Sequence, residues 1–345
     1  MPKYNPNMPS NTYDPADFHA LRNSGMFTSE VEHRSMRFDS AEAASVWFAR
    51  DLDYVKSQTY DAQHPELNAL GLFPVSNEID PGAETVTYYG YDQIGTAKII
   101  SNYANDLPRV DVEGKPSTAQ IKGLGASYGY SIQEIRSSRL AGKSLDVRRA
   151  DAAKRAIDYE LNRIAWSGDE DHNLIGVLSH NNNVPVFTLS LNAAGTSTKF
   201  VDKTPMEILK DIGDMQSYTA VITKSIEKPD SLALPTDAYL YLSGTQLHPQ
   251  SDKTILSWLL DNSPRIKNIF EVPELNDDSG LTPYPGQGVG FMFSKDPMKF
   301  TIEIPLPFVQ HPVQPLKLEF EVPCEMRTAG AIIYFPLSML IIPGV

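Results

Sequence analysis

A single cysteine, Cys324, stands among 345 residues. That excludes an intrachain disulfide framework and any Cys-rich zinc module. No apolar run approaches the ~18 residues needed to cross a bilayer. Met1 to Asp17 is polar and rich in Pro and Asn, unlike the apolar core of a secretory signal. The expectation is a soluble protein that stays in the compartment where it is made. Concentrated positive charge is lacking too. Lys and Arg number 30 against 43 Asp and Glu, a net charge of −13. The longest basic cluster is Arg148-Arg149, close to Asp146 and Asp151. Proteins that grip nucleic acid sequence-specifically carry a basic patch or tail, so that class is disfavoured. An acidic balance is compatible with enclosing nucleic acid without adhering to it.

What is present suits a folded protein of one large or two ordinary domains: 41% of the residues are hydrophobic. Twelve of the 26 prolines lie between Pro264 and Pro343. Proline there favours edge strands, turns and extended connections over helix. Residues 1–25 have few apolar side chains and form an expected flexible arm. From Ser40 the spacing of Ala43, Ala44, Trp47, Phe48, Leu52 and Val55 predicts a helix. Residues 84–130 read as extended, with Thr85 to Tyr89, Gly95 to Ile100 and Ala119 to Tyr130 as strands. The intervening Asp106 to Pro116 is too polar to make a core alone, and so long an extended connection reads either as a twisted surface hairpin or as a projecting β-arm that packs on another subunit.

The clearest helix is Leu145 to Trp166, where Ala150, Ala153, Ile157, Leu161 and Ile164 form one apolar stripe. Ser144 caps its start and Gly168 ends it. Its charges, among them Arg148, Arg149, Lys154, Arg155 and Arg163, interleave with acids and read as a solvated face. A second helix is expected over 205–225 behind Thr204-Pro205. Leu232 to Ser243 alternates like a strand and Ser251 to Asp261 like a short helix. Ile266 to Val272, Gly288 to Phe293, Phe300 to Ile304, Leu316 to Val322 and Ala331 to Ile342 are expected strands. The irregular alternation argues an α+β fold with discontinuous domains.

Catalytic motifs fail on context. Gly125-Ala126-Ser127-Tyr128-Gly129 matches a nucleophile elbow, but that device needs a buried strand feeding a sharp turn into a helix. Here half-polar residues precede it and extended ones follow. Asp169-Glu170-Asp171-His172 has no EF-hand spacing and reads as an acidic loop. The seven histidines are scattered. Gly286-Gln287-Gly288-Val289-Gly290 opens a strand, not the helix that a phosphate cradle requires. No catalytic residue, metal ligand or cofactor site is expected.

Three stretches in this order resemble a major capsid protein of tailed bacteriophages. They are Val112-Glu113-Gly114-Lys115-Pro116-Ser117 with the strand Ala119 to Ser131; Ile164 to Asp169 with Leu174-Ile175-Gly176-Val177-Leu178; and Leu316 to Val345, through Cys324 to Gly330 and Pro336 to a last apolar strand. The resemblance implies the Hong Kong 97-type capsid fold: an N-terminal arm over 1–45; a peripheral domain over 46–83 and 123–204, with a spine helix over 145–166 and a β-sheet; an extended β-hairpin loop over 84–122; an axial domain over 205–295; peripheral return strands over 296–332; and a C-terminal strand over 333–345. It implies a coat protein that builds an icosahedral shell in a virion, assembled in the host cytoplasm. Its expected partners are other copies in hexamers and pentamers, portal and decoration proteins, and packaged DNA contacted non-specifically, with no membrane. About 40 residues precede the matching region, so a separate scaffolding protein, or none, is implied.

Tyr88, Tyr89, Lys98, Asp106, Arg109, Asp111, Glu113 and Lys115 are the expected inter-subunit contacts. Some members of the fold crosslink a loop Lys to a neighbour's Asn; Lys98 and Asn181 to Asn183 are the residues available here, without a motif to fix the pairing. The alternatives are a nanocompartment shell around a protein cargo and, more remotely, a hydrolase using Ser127.

Overall fold

The computed structural model describes residues 64–96, 109–141, 148–250 and 252–345. The expected helix from Ser40, the strand after Thr96, the start of the long helix before Arg148, and Lys98 and Asp106 lie outside them. The chain divides into residues 1–65 and 66–345; the second unit is described here. It opens with a short helix α1 (Ala69–Leu72) and strand β1 (Val75–Ser76). Strands β2 (Thr85–Ile94), β3 (Asp111–Gln120) and β4 (Lys122–Ser131) follow, then helices α2 (Ile132–Ala141) and α3 (Arg148–Ser167).

Helix α3 is the long helix expected from the apolar stripe. Ala153, Ile157, Leu161, Ile164, Ala165 and Trp166 are buried. Its end is finished by chain that returns to it. Gly168, at φ +76°, turns the backbone. The N–H groups of Val177 and Leu178 then donate to the Ala165 and Trp166 carbonyls at 2.9 and 2.8 Å. Carbonyls that a helix C-terminus leaves without partners are thereby satisfied.

Beyond it come α4 (Pro205–Ile222), β5 (Ser231–Leu234), α5 (Thr236–Gly244), α6 (Ile255–Asn262), β6 (Asn268–Glu271) and β7 (Val289–Phe293). The last strands are β8 (Phe300–Glu303), β9 (Leu306–Gln310), β10 (Gln314–Leu316), β11 (Glu319–Thr328), β12 (Gly330–Ile333) and β13 (Leu340–Pro343). One sheet runs β1-β8-β12, another β10-β11-β4 with β9 also on β11, and a third β13-β7-β5-β6. Among the described residues, strands β2 and β3 pair only with each other.

The third sheet separates two cores by strand parity. Ala233, Phe291, Phe293 and Ile341 face the core that α3 also lines. Leu232, Leu234, Met292, Leu340 and Ile342 face the other, with Phe200 and α4's Ile208, Ile212 and Met215. Side chains alternate across a strand, so a sheet buried on both faces reads as the unbroken apolar runs seen here. Phe73 centres the first core: its ring meets Trp166 at 4.7 Å, Phe300 at 5.5 Å and Phe293 at 5.6 Å, all edge-on. That is a favourable aromatic geometry.

Several expected elements differ. Tyr239 to Leu242 is not strand but part of α5. Ala238 and Leu242, four apart, are buried while Leu240 is exposed, so helical spacing overrides the apparent alternation. The strand expected over Ala119 to Tyr130 breaks at Ile121, whose side chain is buried. Helix α2 was not expected. The Leu316 to Val322 strand is a hairpin turning at Lys317-Leu318, with Lys317 at φ +56°. Ala331 to Ile342 is two strands parted by a single turn at Pro336–Ser338.

Candidate assembly interface

The ribbon of β2 and β3 pairs over ten residues, from Thr85↔Gln120 to Ile94↔Asp111. At ~3.3 Å per residue it is about 30 Å long. Among the described residues, the packing is at its base. Val86, Tyr88 and Ala119 pack with Ile79, Ala83 and Tyr334 around the buried Ile121, Ala329 and Ile332. The Tyr88 and Tyr334 rings meet edge-on at 5.2 Å. Tyr334 accepts or donates a hydrogen bond with the Thr301 hydroxyl at 3.3 Å, and burial pushes its phenol pKa up.

Beyond that base the ribbon's side chains divide by register. Opposed residues of an antiparallel pair share a face. Tyr89, Tyr91, Val112 and Pro116 lie on one face; Asp111, Glu113 and Lys115 lie on the other. All are exposed, Tyr89 by 62%, Tyr91 by 72% and Val112 by 56%. The Tyr89 and Tyr91 rings stack with centroids 6.4 Å apart, and Tyr91 lies across Gly114, where a Cβ would come within 3.0 Å of its ring.

The expected contact residues therefore separate. Tyr88 is half-buried at the ribbon's base, where it packs on Tyr334. Tyr89 stands on the outer apolar face. Asp111, Glu113 and Lys115 line the opposite, charged face, and Arg109 is exposed just before β3. Tyr91 and Val112, exposed on the same face, are not among the expected residues. Strand parity was the available signal: Tyr91 shares Tyr89's face, and the register puts Val112 there too. A two-stranded ribbon is marginal by itself, and exposed apolar patches are common at interaction surfaces.

Other candidates resolve into structure. Ser127 sits mid-strand in β4 opposite Pro323, not at a turn. Asp169 closes a tight hairpin by bridging to Leu174, and its carboxylate meets His172 at 3.0 Å and Arg163 at 3.3 Å. Asn182 is buried and donates to the Gly176 and Val177 carbonyls. Gly286 turns at φ +74° into β7. Among the described residues no cluster of His, Cys, Asp and Glu could hold a metal ion, and no helix is long and apolar enough to cross a membrane.

A family model described as major capsid protein matches residues 95–345. Comparison with curated proteins gives no match. Among solved structures, the capsid of Myoviridae phage XM1 superposes with a TM-score of 0.71 at 18% identity, covering 88% of this chain and 100% of that one. The capsid of a native GTA particle gives 0.59 at 11% identity, covering 89% and 99%. A chain from Mycobacterium phage Ogopogo gives 0.53 at 11%, covering 87% and 99%. At such identities the likeness is one of fold.

Proposed function

Because the chain belongs to the major capsid protein family and has its α+β, Hong Kong 97-type fold, we propose that copies of it assemble through hexamers and pentamers into an icosahedral shell around a phage genome. The observation that carries this reading is the anchored ribbon with its exposed Tyr89–Tyr91–Val112 face. In this reading a neighbouring subunit packs against that exposed face. Each large apolar side chain removed from water contributes roughly 1.5–3 kcal/mol before ordering costs. A closed shell repeats the contact many times, so modest pair affinities suffice. The charged face, with Asp111, Glu113 and Lys115, fixes register more than affinity.

In this reading residues 84–122 are the extended loop, α3 the spine of the peripheral part, and 205–295 the axial part, to which β13 adds a strand. Residues 1–45 form the arm. The role is structural, with no catalytic step. Negative-stain microscopy of the expressed chain is expected to show closed particles, and nuclease treatment of particles from infected cells to leave genome-length DNA. Particles holding protein instead of DNA would make the chain a cargo compartment. A monomer at every concentration would overturn the shell.

A further inference from the structure

Apolar side chains stand in water at both ends of α4, and the two ends carry opposite charge. Past its C-terminal end, Lys224 and Ser225 both hold the left-handed backbone region, at φ +51° and +63°. Non-glycine residues visit that region singly and at a cost. Hydrogen bonds fix the turn: the Ser225 N–H donates to the Ala220 carbonyl at 2.7 Å and the Ile226 N–H to that of Thr223 at 3.0 Å. The turn presents Ile226, which is 77% exposed. Lys299 Nζ donates to the adjoining Glu227 at 2.7 Å and lies 4.8 Å from the Phe335 ring centre. That bridge gathers Ile226, Met298 and Phe335, all exposed, at one site. Lys224 and Lys228 are exposed at its rim and, among the described residues, neither is in an ion pair. The acids nearby are engaged: Glu227 by Lys299, Asp296 by the Met298 N–H at 2.9 Å, and Asp230 by the Ser231 hydroxyl at 3.1 Å.

The N-terminal end is acidic. Val201 and Asp202, both exposed, shortly precede α4. Tyr241 of α5 donates its hydroxyl to the Lys203 carbonyl at 3.1 Å, which sets α5 against this end. Val201, Asp237, Ala238 and Asp277 line one cleft at the start of α5. Leu240, exposed, lies one turn beyond Asp237. Lys199 is the cation lining the cleft, and it faces Asp277 at 3.6 Å. Asp202, Asp237 and Asp278 are exposed there and, among the described residues, are in no ion pair. At ~1.5 Å per residue, the 18-residue helix parts its two ends by about 27 Å.

We propose that the basic end of α4 on one copy of this chain seats on the acidic end of the next, with Ile226 entering the cleft beside Val201 and with Lys224 and Lys228 facing Asp202 and Asp237. Charge complementarity selects a second copy in this orientation. Each end repels its own likeness, so like ends do not pair. A contact between two different patches of one chain is heterologous, and successive copies then follow one another around a ring. An apolar centre inside a polar rim is the common anatomy of a specific interface. The left-handed turn is fixed before contact, so little order is lost on binding. The contact uses none of the ribbon's residues. It rests on the shell reading above, to which it adds the residues that set the order of copies within a ring.

The test uses the full-length chain, with assembly followed by light scattering and subunit folding by thermal melting. K224E/K228E and D202K/D237K are each expected to slow assembly about 10-fold or more at low salt, with the melting temperature unchanged. All four changes in one chain restore opposite charges and should bring the rate back to within about 3-fold of wild type. An equal mixture of the two reversed chains should assemble too, since each supplies the end that the other lacks. Should a reversed chain misfold, Ile226→Ser is the milder probe and is expected to slow assembly about 10-fold. Crosslinking reads the direction. I226C/L240C treated with a short bismaleimide should give a ladder of trimers and higher products, whereas I226C alone should stay monomeric, Cys324 being buried. Dimers from I226C alone would show like ends meeting and overturn the proposal. So would a quadruple variant as slow as the reversed pairs, or reversed pairs and Ile226→Ser that assemble like wild type. Wild-type particles alongside any of those results refute this contact and leave the shell standing; a ladder with charge rescue but no closed particles does the reverse.

Discussion

Gly168 and Gly176 meet backbone to backbone where α3 ends. A Cβ on Gly176 would lie 2.2 Å from the Gly168 nitrogen, and one on Gly168 would lie 2.6 Å from the Gly176 nitrogen. The loop between them carries Ile175, whose carbonyl accepts from Ala331 at 2.7 Å. The closing strands thus dock onto the end of the spine through this contact.

Gly176→Ala is therefore expected to destabilise the subunit by about 3 kcal/mol or more, since only backbone could yield. Gly213→Ala supplies the contrast. It lies within α4 with nothing within 4 Å of a Cβ, so it should stabilise by about 0.5–1 kcal/mol. Chemical denaturation of both variants checks the pair. Equal stabilities would sink the close-approach argument.

The ribbon separates folding from assembly. Tyr91→Ser with Val112→Ser removes exposed apolar surface and should leave subunit stability within about 0.5 kcal/mol, while particle yield collapses. Tyr88→Ala removes the ring packed on Tyr334 and should lower the melting temperature before any assembly is scored. Calorimetry with microscopy reads both. Normal particles from the double variant would end the ribbon's proposed role.

Arg149 donates to both oxygens of Glu134, at 2.8 and 3.2 Å, and this clamp predicts a pH dependence. Hydrogen bonds from Arg149, and then from the Ser131 N–H, hold its carboxyl pKa down at about 2, from the usual 4.5. A depressed carboxyl stabilises the fold above its unfolded value, and that contribution is lost as pH falls from about 4.5 to about 2. The group is exposed, so salt should weaken the effect. A carbonyl-detected NMR titration is expected to find the Glu134 midpoint near 2 and, in Arg149→Gln, raised toward 4.5 but still below it, because the Ser131 N–H bond remains. A wild-type midpoint near 4.5 would show that the clamp does not form in solution.

How far the sequence disclosed this molecule depended on period and parity. The stripe of α3 was legible because Ala153, Ile157 and Leu161 face one core and Ile164 is buried at the same helical spacing. The α+β class and the capsid resemblance were legible because the spine, its Gly168-Asp169 end and the closing strands fall in order. Tyr239-Leu240-Tyr241-Leu242 misled because alternating letters mimic a strand when Pro235 has already started a helix. Helix α2 has a weak apolar face, so periodicity was silent. Its signal was a capping box: Ser131 accepts from the Glu134 N–H at 3.1 Å while Glu134 accepts from the Ser131 N–H at 3.0 Å. The ribbon's outer face needed a register that only pairing supplies, which is why Tyr88 was grouped with Tyr89 although they face opposite ways.

The second core contains an ion pair with almost no access to water. Lys203 Nζ donates to Asp211 Oδ2 at 2.5 Å, and their side chains are 1% and 4% exposed. The Lys203 ammonium also lies 5.8 Å from the Phe200 ring centre. Removing one partner strands a buried charge, so Asp211→Leu alone should cost about 3–5 kcal/mol. Replacing both, in Lys203→Met/Asp211→Leu, removes the desolvation cost along with the attraction and should recover most of that loss. Urea denaturation of the wild type, both single variants and the double variant gives the coupling energy directly. Additive losses, with the double variant the least stable of the four, would show that the two charges do not act as a pair.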